Sequence, residues 1–220
     1  MITLKYKQTP FEITLIDLAD PPEWFRERSP LGKVPILVVD QDTVLFESAV
    51  INEYVDAITP PPLMPADPLD QARTRAWVEY LSEQTFAQYR WMTAATEQDF
   101  ELAAHTAAQG LERLERQLAG DPLLPTTGFS LIDATLSPVL MRYTRINDPD
   151  SPWDPAQFPR LAARWEGLNR LAAVRESVPP DFDRRLADYL AAQQGYAAPR
   201  LARTLRAAPP FRDPQEHTDT

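Results

Sequence analysis

The sequence predicts a small α/β domain followed by an all-α domain. Three observations carry that prediction. The apolar period changes several times before residue 59, it is helical from about residue 69 onward, and 23 prolines beside only 6 glycines gather at a few joints. The joints are Pro60-Pro61-Pro62 with Pro65 and Pro68, the run from Pro149 to Pro159, Pro179-Pro180, and Pro209-Pro210 with Pro214. Each interrupts a helix or stiffens a connection. They divide the chain into an α/β domain over 1–58, a proline-rich linker over 59–68, a helical domain over 69–181 and an Arg-rich helical tail with a disordered end over 182–220.

The alternation Phe11-Glu12-Ile13-Thr14-Leu15-Ile16-Asp17-Leu18, bounded by Pro10 and by Asp20-Pro21-Pro22, predicts a strand. Pro22 to Arg28, carrying Trp24 and Phe25, predicts a short helix. Val34 to Val39 is a buried-strand pattern, and Asp40-Gln41-Asp42 turns it into a second strand, Thr43 to Phe46. The pair is a β-hairpin. Ser48 then has the character of a helix N-cap, with Val50, Ile51, Tyr54, Val55 and Ile58 on one side of the helix that follows.

Beyond the proline linker, Asp70 to about Thr96 and Glu97 to Leu118 predict two long helices, the second with Leu111, Leu114 and Leu118 on one face. Gly120-Asp121-Pro122 breaks it. A third helix starts at Ser130 and runs through Ile132, Leu136, Val139 and Leu140 to about Arg145, with Pro138 inside. A fourth spans Pro159 to about Arg175, burying Leu161, Trp165, Leu168 and Leu171. In the tail, residues 182–212 hold six arginines against Asp183 and Asp188, whereas residues 1–181 carry 16 positive and 27 negative charges. Opposite signs fit either a nucleic-acid arm or, the favoured reading, a helix folded back on the acidic body. Asp213 to Thr220 has the composition of a disordered end.

Composition narrows the chemistry. The chain of 220 residues carries a formal charge of −10, which disfavours direct nucleic-acid binding by its body. Its longest purely apolar run, Val34 to Val39, is far short of the roughly 18 to 20 residues of a membrane span. Met1-Ile2-Thr3-Leu4-Lys5 has no secretory pattern, so a cytoplasmic protein is expected. Cysteine is absent, and His105 and His217 are too few and too scattered for a shared metal site. No metal is expected.

One constellation stands out. Ser29-Pro30-Leu31-Gly32-Lys33-Val34-Pro35 is followed twelve residues after Pro35 by Glu47-Ser48. Val34-Pro35 at a strand opening is a candidate cis peptide, which turns the Val34 backbone groups toward an extended peptide ligand. Ser48 at a helix start offers a hydroxyl, free N–H groups and the positive end of the helix dipole, a match for a carboxylate. Glu47 beside it matches an ammonium. Each part alone is explained by an ordinary cap or an ordinary strand-start proline; their combination between a hairpin and a helix points to a peptide bearing an amino and a carboxylate group at one end.

Leu31-Gly32-Lys33-Val34-Pro35 with Phe46-Glu47-Ser48 and Ile51-Asn52-Glu53-Tyr54 resembles the N-terminal, thioredoxin-like domain of the cytosolic glutathione S-transferase superfamily. Phe129-Ser130-Leu131-Ile132-Asp133 resembles the segment that opens the core helix of that family's second domain, with Ser130 and Asp133 forming a structural capping box. Leu63-Met64-Pro65-Ala66-Asp67-Pro68, followed by Arg73 and Arg75, resembles a narrower branch, the stringent starvation protein A branch. The resemblance covers about residues 1–178.

It implies an α/β thioredoxin-like domain, incomplete at its start, plus an all-α helical domain. It also implies glutathione as a substrate held by Val34, Pro35, Glu47 and Ser48, with Lys33 near its glycyl end. In the family, a Ser, Tyr or Cys at the junction of the first strand and first helix activates the glutathione thiol. Met1 to Gln8 reads as only the end of that helix, so no catalytic residue is assigned and the sequence is expected to be a shortened reading of a longer gene.

Two functions follow from the resemblance. One is a glutathione transferase acting on a small electrophile, with Tyr89, Trp91 and Met92 as lining candidates, although core packing or a dimer contact is the favoured role for these three. The other is a non-catalytic regulator that associates with RNA polymerase through an exposed Pro60-Pro61-Pro62 rim near Tyr54. A homodimer is expected in either case.

Overall fold

The computed structural model describes residues 1–120 and 128–207, with side chains as far as Leu205. The first domain comprises α1 (Ile2–Tyr6), α2 (Glu23–Arg28), β1 (Ile36–Val39), β2 (Thr43–Phe46) and α3 (Ser48–Ile58). β1 and β2 pair antiparallel, Ile36 opposite Phe46 and Val39 opposite Thr43, and among the described residues they are the whole sheet. Asp40, at φ 49°, turns the hairpin, a left-handed conformation that Asp tolerates better than most side chains.

Residues 11–18 do not form the expected strand. A strand is stabilised by its ladder and by cross-strand pairs, and among the described residues no strand pairs with this segment; Ile13, Leu15 and Leu18 stay 56%, 66% and 54% exposed. The inward face of α3 is also narrower than its apolar pattern suggests. Ile51 and Val55 are buried, while Val50 and Ile58 remain exposed, because the two-stranded sheet covers too little of the helix.

The two domains are stitched together at the linker. Lys7 and Asp56, both almost fully buried, form an ion pair of 2.7 Å. The Asp56 carboxylate also accepts the N–H groups of Leu63 (2.7 Å) and Met64 (2.9 Å), and Lys7 donates to the Pro61 carbonyl. Arg75 closes a bidentate bridge to Glu53 nearby, at 2.9 to 3.1 Å.

The helical domain contains α4 (Pro68–Met92), α5 (Glu97–Gln117), α6 (Leu131–Arg145), α7 (Pro159–Asn169) and α8 (Ala172–Arg175). α4 begins on an Asp67 cap with Pro68 at its first position, the arrangement that satisfies orphan N–H donors and tolerates a missing one. It ends at Met92, before the expected Thr96. The predicted fourth helix is broken at Arg170-Leu171 into α7 and α8. α7 has no side-chain cap of its own; instead, Glu115 of α5 accepts the N–H groups of Arg160 and Leu161 at 2.9 to 3.1 Å, placing a carboxylate at the positive end of the helix.

α6 is the central helix, with Leu131, Ile132, Leu136, Val139 and Leu140 all at most 2% exposed. Ser130 and Asp133 form a reciprocal capping box at its start.

The Arg-rich tail folds back as α9 (Phe182–Ala192) and α10 (Ala197–Ala207). Ala197, Leu201 and Leu205 enter the main core. Arg200 is held by Asp148 and Asp150 at 2.6 to 2.8 Å, and Arg185 by Asp181 at 2.7 Å. The expectations for Asp121-Pro122, for Asp213 to Thr220 and for His217 lie outside the described residues.

Candidate functional site

The hairpin register brings the two halves of the predicted site to one place. With Ile36 opposite Phe46, Val34-Pro35 and Glu47-Ser48 lie at the same end of the β1–β2 pair. The loop before β1 is tied down from within: the buried Ser29 hydroxyl donates to the Lys33 carbonyl at 3.1 Å, and the Ser29 carbonyl accepts the Gly32 N–H at 3.3 Å. Gly32 sits at φ +62°, which glycine adopts without a Cβ clash. The Val34–Pro35 bond is cis. Lys33, Val34, Pro35, Glu47 and Ser48 are all exposed, so their backbone and side-chain groups are accessible to a ligand.

Ser48 is not the cap of α3. It is the first helical residue, and Glu47 occupies the cap position at φ 65°, ψ 119°, its carbonyl accepting the Ile51 N–H at 3.0 Å. A non-glycine residue held in that region costs about 1–3 kcal/mol. The expected Ser48 cap is therefore not formed, because the strand end and the helix start share Glu47 as their corner. No side chain caps α3. The first N–H groups of the helix therefore point out beside the Ser48 hydroxyl and the Glu47 carboxylate. Chemically this corner presents anion-binding N–H donors, a hydroxyl, an acceptor for an ammonium and, across the hairpin end, the Val34 backbone.

The lining candidates of the helical domain separate. Trp91 and Met92 are core residues, 0% and 5% exposed, with Trp91 against Phe100 and Tyr143 at ring distances of 5.8 and 5.9 Å. They are therefore not lining groups. Tyr89 is 44% exposed, and its hydroxyl meets that of Tyr189 on α9 at 3.2 Å; this contact pushes the Tyr189 phenol up to about 12. A cavity of about 1180 Å³ lies in the helical domain among Tyr143, Arg145, Trp153, Trp165 and Phe182 and receives no residue from the first domain.

The Pro60-Pro61-Pro62 rim is exposed, with a cis Pro60–Pro61 bond. Among the described residues no cluster of three or more His, Asp or Glu is placed to hold a metal ion, and no helix is long and apolar enough to cross a membrane. The pair Lys7–Asp56 and the pair Gln88–Arg142 were not anticipated. Their partners are 49 and 54 residues apart, and only the fold joins them.

Residues 1–58 match the model of the glutathione S-transferase N-terminal domain, and residues 91–163 that of the glutathione S-transferase C-terminal domain. The chain is 27% identical over 201 residues to a probable glutathione S-transferase of Oryza sativa subsp. japonica, covering 84% of each chain. It is 30% identical over 182 residues to the pyrimidodiazepine synthase of Drosophila melanogaster, covering 79% of this chain and 72% of the relative. A stringent starvation protein A homolog of Coxiella burnetii is 30% identical over 142 residues, with coverage of 64% and 68%. Among solved structures, a glutathione S-transferase of Methylobacillus flagellatus with glutathione bound superposes with a TM-score of 0.68 at 25% identity, covering 81% of this chain and 91% of that one.

Proposed function

This chain belongs to the glutathione S-transferase family, and we propose that it binds glutathione at the β1–β2 hairpin end and transfers the thiol to a small electrophile. The observation that supports the site most is the convergence of the cis Val34–Pro35 peptide with Glu47-Ser48 at the uncapped start of α3. In this reading the Val34 backbone pairs with the cysteinyl residue of the tripeptide as a strand would. The γ-glutamyl carboxylate lies on the Ser48 hydroxyl and the first N–H groups of α3, where the helix dipole favours negative charge. Its ammonium faces Glu47, Pro35 shapes the floor, and Lys33 approaches the glycyl carboxylate. No residue of the described chain is assigned to thiol activation.

A second reading is a regulator of the stringent starvation protein A type that associates with RNA polymerase. It is supported by the Coxiella burnetii relative and by the Leu63-Met64-Pro65 segment, which Asp56 pins into a fixed rim. Copurification with RNA polymerase and no thiol transfer would favour it. Both readings take a cytoplasmic homodimer.

The glutathione reading makes a claim about which end of the ligand matters. Cysteinylglycine, which lacks the γ-glutamyl group, is expected to bind about a hundredfold more weakly than glutathione, since each charge-assisted hydrogen bond lost costs about 1.5–3 kcal/mol. Calorimetric titration of both peptides checks this. Equal affinities would remove Glu47 and Ser48 from the site.

A further inference from the structure

The cavity of about 1180 Å³ is bounded by the end of α6, the inner face of α7 and the segment that leads from Arg175 into α9. Three buried side chains of its wall carry polar groups that the protein itself leaves unused. Tyr143, Trp165 and Asn169 are 2%, 7% and 7% exposed. All three line the cavity, and the phenol, the indole N–H and the side-chain amide make no hydrogen bond among the described residues. Buried polar groups are normally hydrogen-bonded. Together these three supply donors and acceptors suited to a ligand hydroxyl.

Charge selects the rest of the ligand. The wall holds five carboxylates against three guanidiniums, and the guanidiniums are already engaged. Arg145 pairs with Asp183 at 2.6 Å, Arg184 with Asp181, and Arg175 donates to the Arg170 carbonyl at 2.7 Å. Of the acids, Asp148 is held by Arg200 and Glu176 by Lys5. Glu166, exposed on α7, forms no ion pair among the described residues. An acidic excess with one uncompensated carboxylate favours a cation over an anion. Trp153 and Trp165 add two indoles, the ring type that holds a cation best. The wall already shows one such contact, the Arg145 guanidinium lying 5.5 Å from the centroid of the Phe182 ring. A primary ammonium brings three N–H donors that all need acceptors. A quaternary ammonium brings none, so ring faces and a single carboxylate suffice for it.

We propose that this cavity binds a small hydroxylated quaternary ammonium compound, its cationic head on the Trp153 and Trp165 indoles with Glu166 as counter-ion. The ligand hydroxyl is met by Tyr143, Trp165 and Asn169. The site uses no residue of the hairpin end, so it stands independently of glutathione binding.

The test titrates choline and its uncharged isostere 3,3-dimethylbutan-1-ol into the full chain by calorimetry. The two share shape and hydroxyl and differ in charge. The wild type is expected to bind choline about tenfold more tightly than the isostere. Glu166→Gln, an exposed and nearly isosteric change, is expected to reduce that preference at least about threefold. Trp153→Leu is expected to weaken choline about fivefold or more. Trp153 also stacks on Phe158 at 6.1 Å, so the fold of that variant is checked by circular dichroism, and Glu166→Gln decides the matter if it is lost. Absence of saturable choline binding by the wild type, or equal affinity for the two probes, overturns the proposal. So does a Glu166→Gln chain that keeps the full preference, or a folded Trp153→Leu chain with unchanged choline affinity.

Discussion

Asp56→Ala is expected to destabilise the protein by about 3–5 kcal/mol, the cost of leaving a buried cation without its partner. The substitution removes three interactions at once: the 2.7 Å pair with Lys7 and the bonds from the Leu63 and Met64 N–H groups. Lys7 has 4% of its side chain exposed and cannot recover water where it stands. At about 2–4 °C per kcal/mol for a chain of this size, the melting midpoint falls by roughly 6–20 °C. The double substitution Lys7→Met with Asp56→Asn is expected to lose much less than the two single changes summed, because it removes the charge as well as its partner. Thermal denaturation of the four proteins checks both statements, and a midpoint for Asp56→Ala within about 2 °C of wild type would show that the linker is not held by this pair.

Asp133→Ala is the second large effect, also about 3–5 kcal/mol. Asp133 is 2% exposed and its carboxylate serves two masters. One is the capping box, accepting the Ser130 N–H at 2.9 Å and hydroxyl at 2.7 Å. The other is Arg164, whose Nε donates at 2.8 Å and which also reaches the Gly128 carbonyl at 3.1 Å. Removing the carboxylate leaves Arg164 buried without its acid and frays the start of the central helix. Ser130→Ala, which takes away only the cap hydroxyl, is expected to cost about 0.5–2 kcal/mol. Denaturant unfolding separates the two. Equal effects of the two substitutions would mean that the Arg164 pair contributes nothing.

Much of the fold is legible in the sequence because its signals are local. The hairpin follows from Val34 to Phe46 with Asp40-Gln41-Asp42 between, and α6 from Ser130 and Asp133, whereas α4 starts at Pro68, two residues before the expected Asp70. The missing strand at residues 11–18 shows the limit of such signals. Alternation marks a segment able to pair, but pairing needs a neighbour, and none of the described residues provides one. The break between α7 and α8 and the exposure of Val50 and Ile58 are likewise set by what packs against each segment.

At the candidate site, Val34-Pro35 and Glu47-Ser48 stand out in the sequence because residue type and spacing together suit a zwitterionic peptide end, and the hairpin register brings them to one end of the β1–β2 pair. The exact corner does not stand out, since nothing local distinguishes a Ser cap from a Glu held at positive φ. Trp91 shows the opposite failure. An aromatic near the end of a long helix suits a ligand wall and a core equally well, and only its packing on Phe100 and Tyr143 decides.

The assignment of the hairpin end as the glutathione site is tested most directly by calorimetric titration of reduced glutathione into the wild type and the Glu47→Ala/Ser48→Ala double variant. The expected result is a saturable isotherm for the wild type and a loss of at least about a hundredfold in affinity for a folded double variant, two charge-assisted contacts being removed. An unchanged isotherm in the double variant would contradict the assignment and place glutathione elsewhere on the protein.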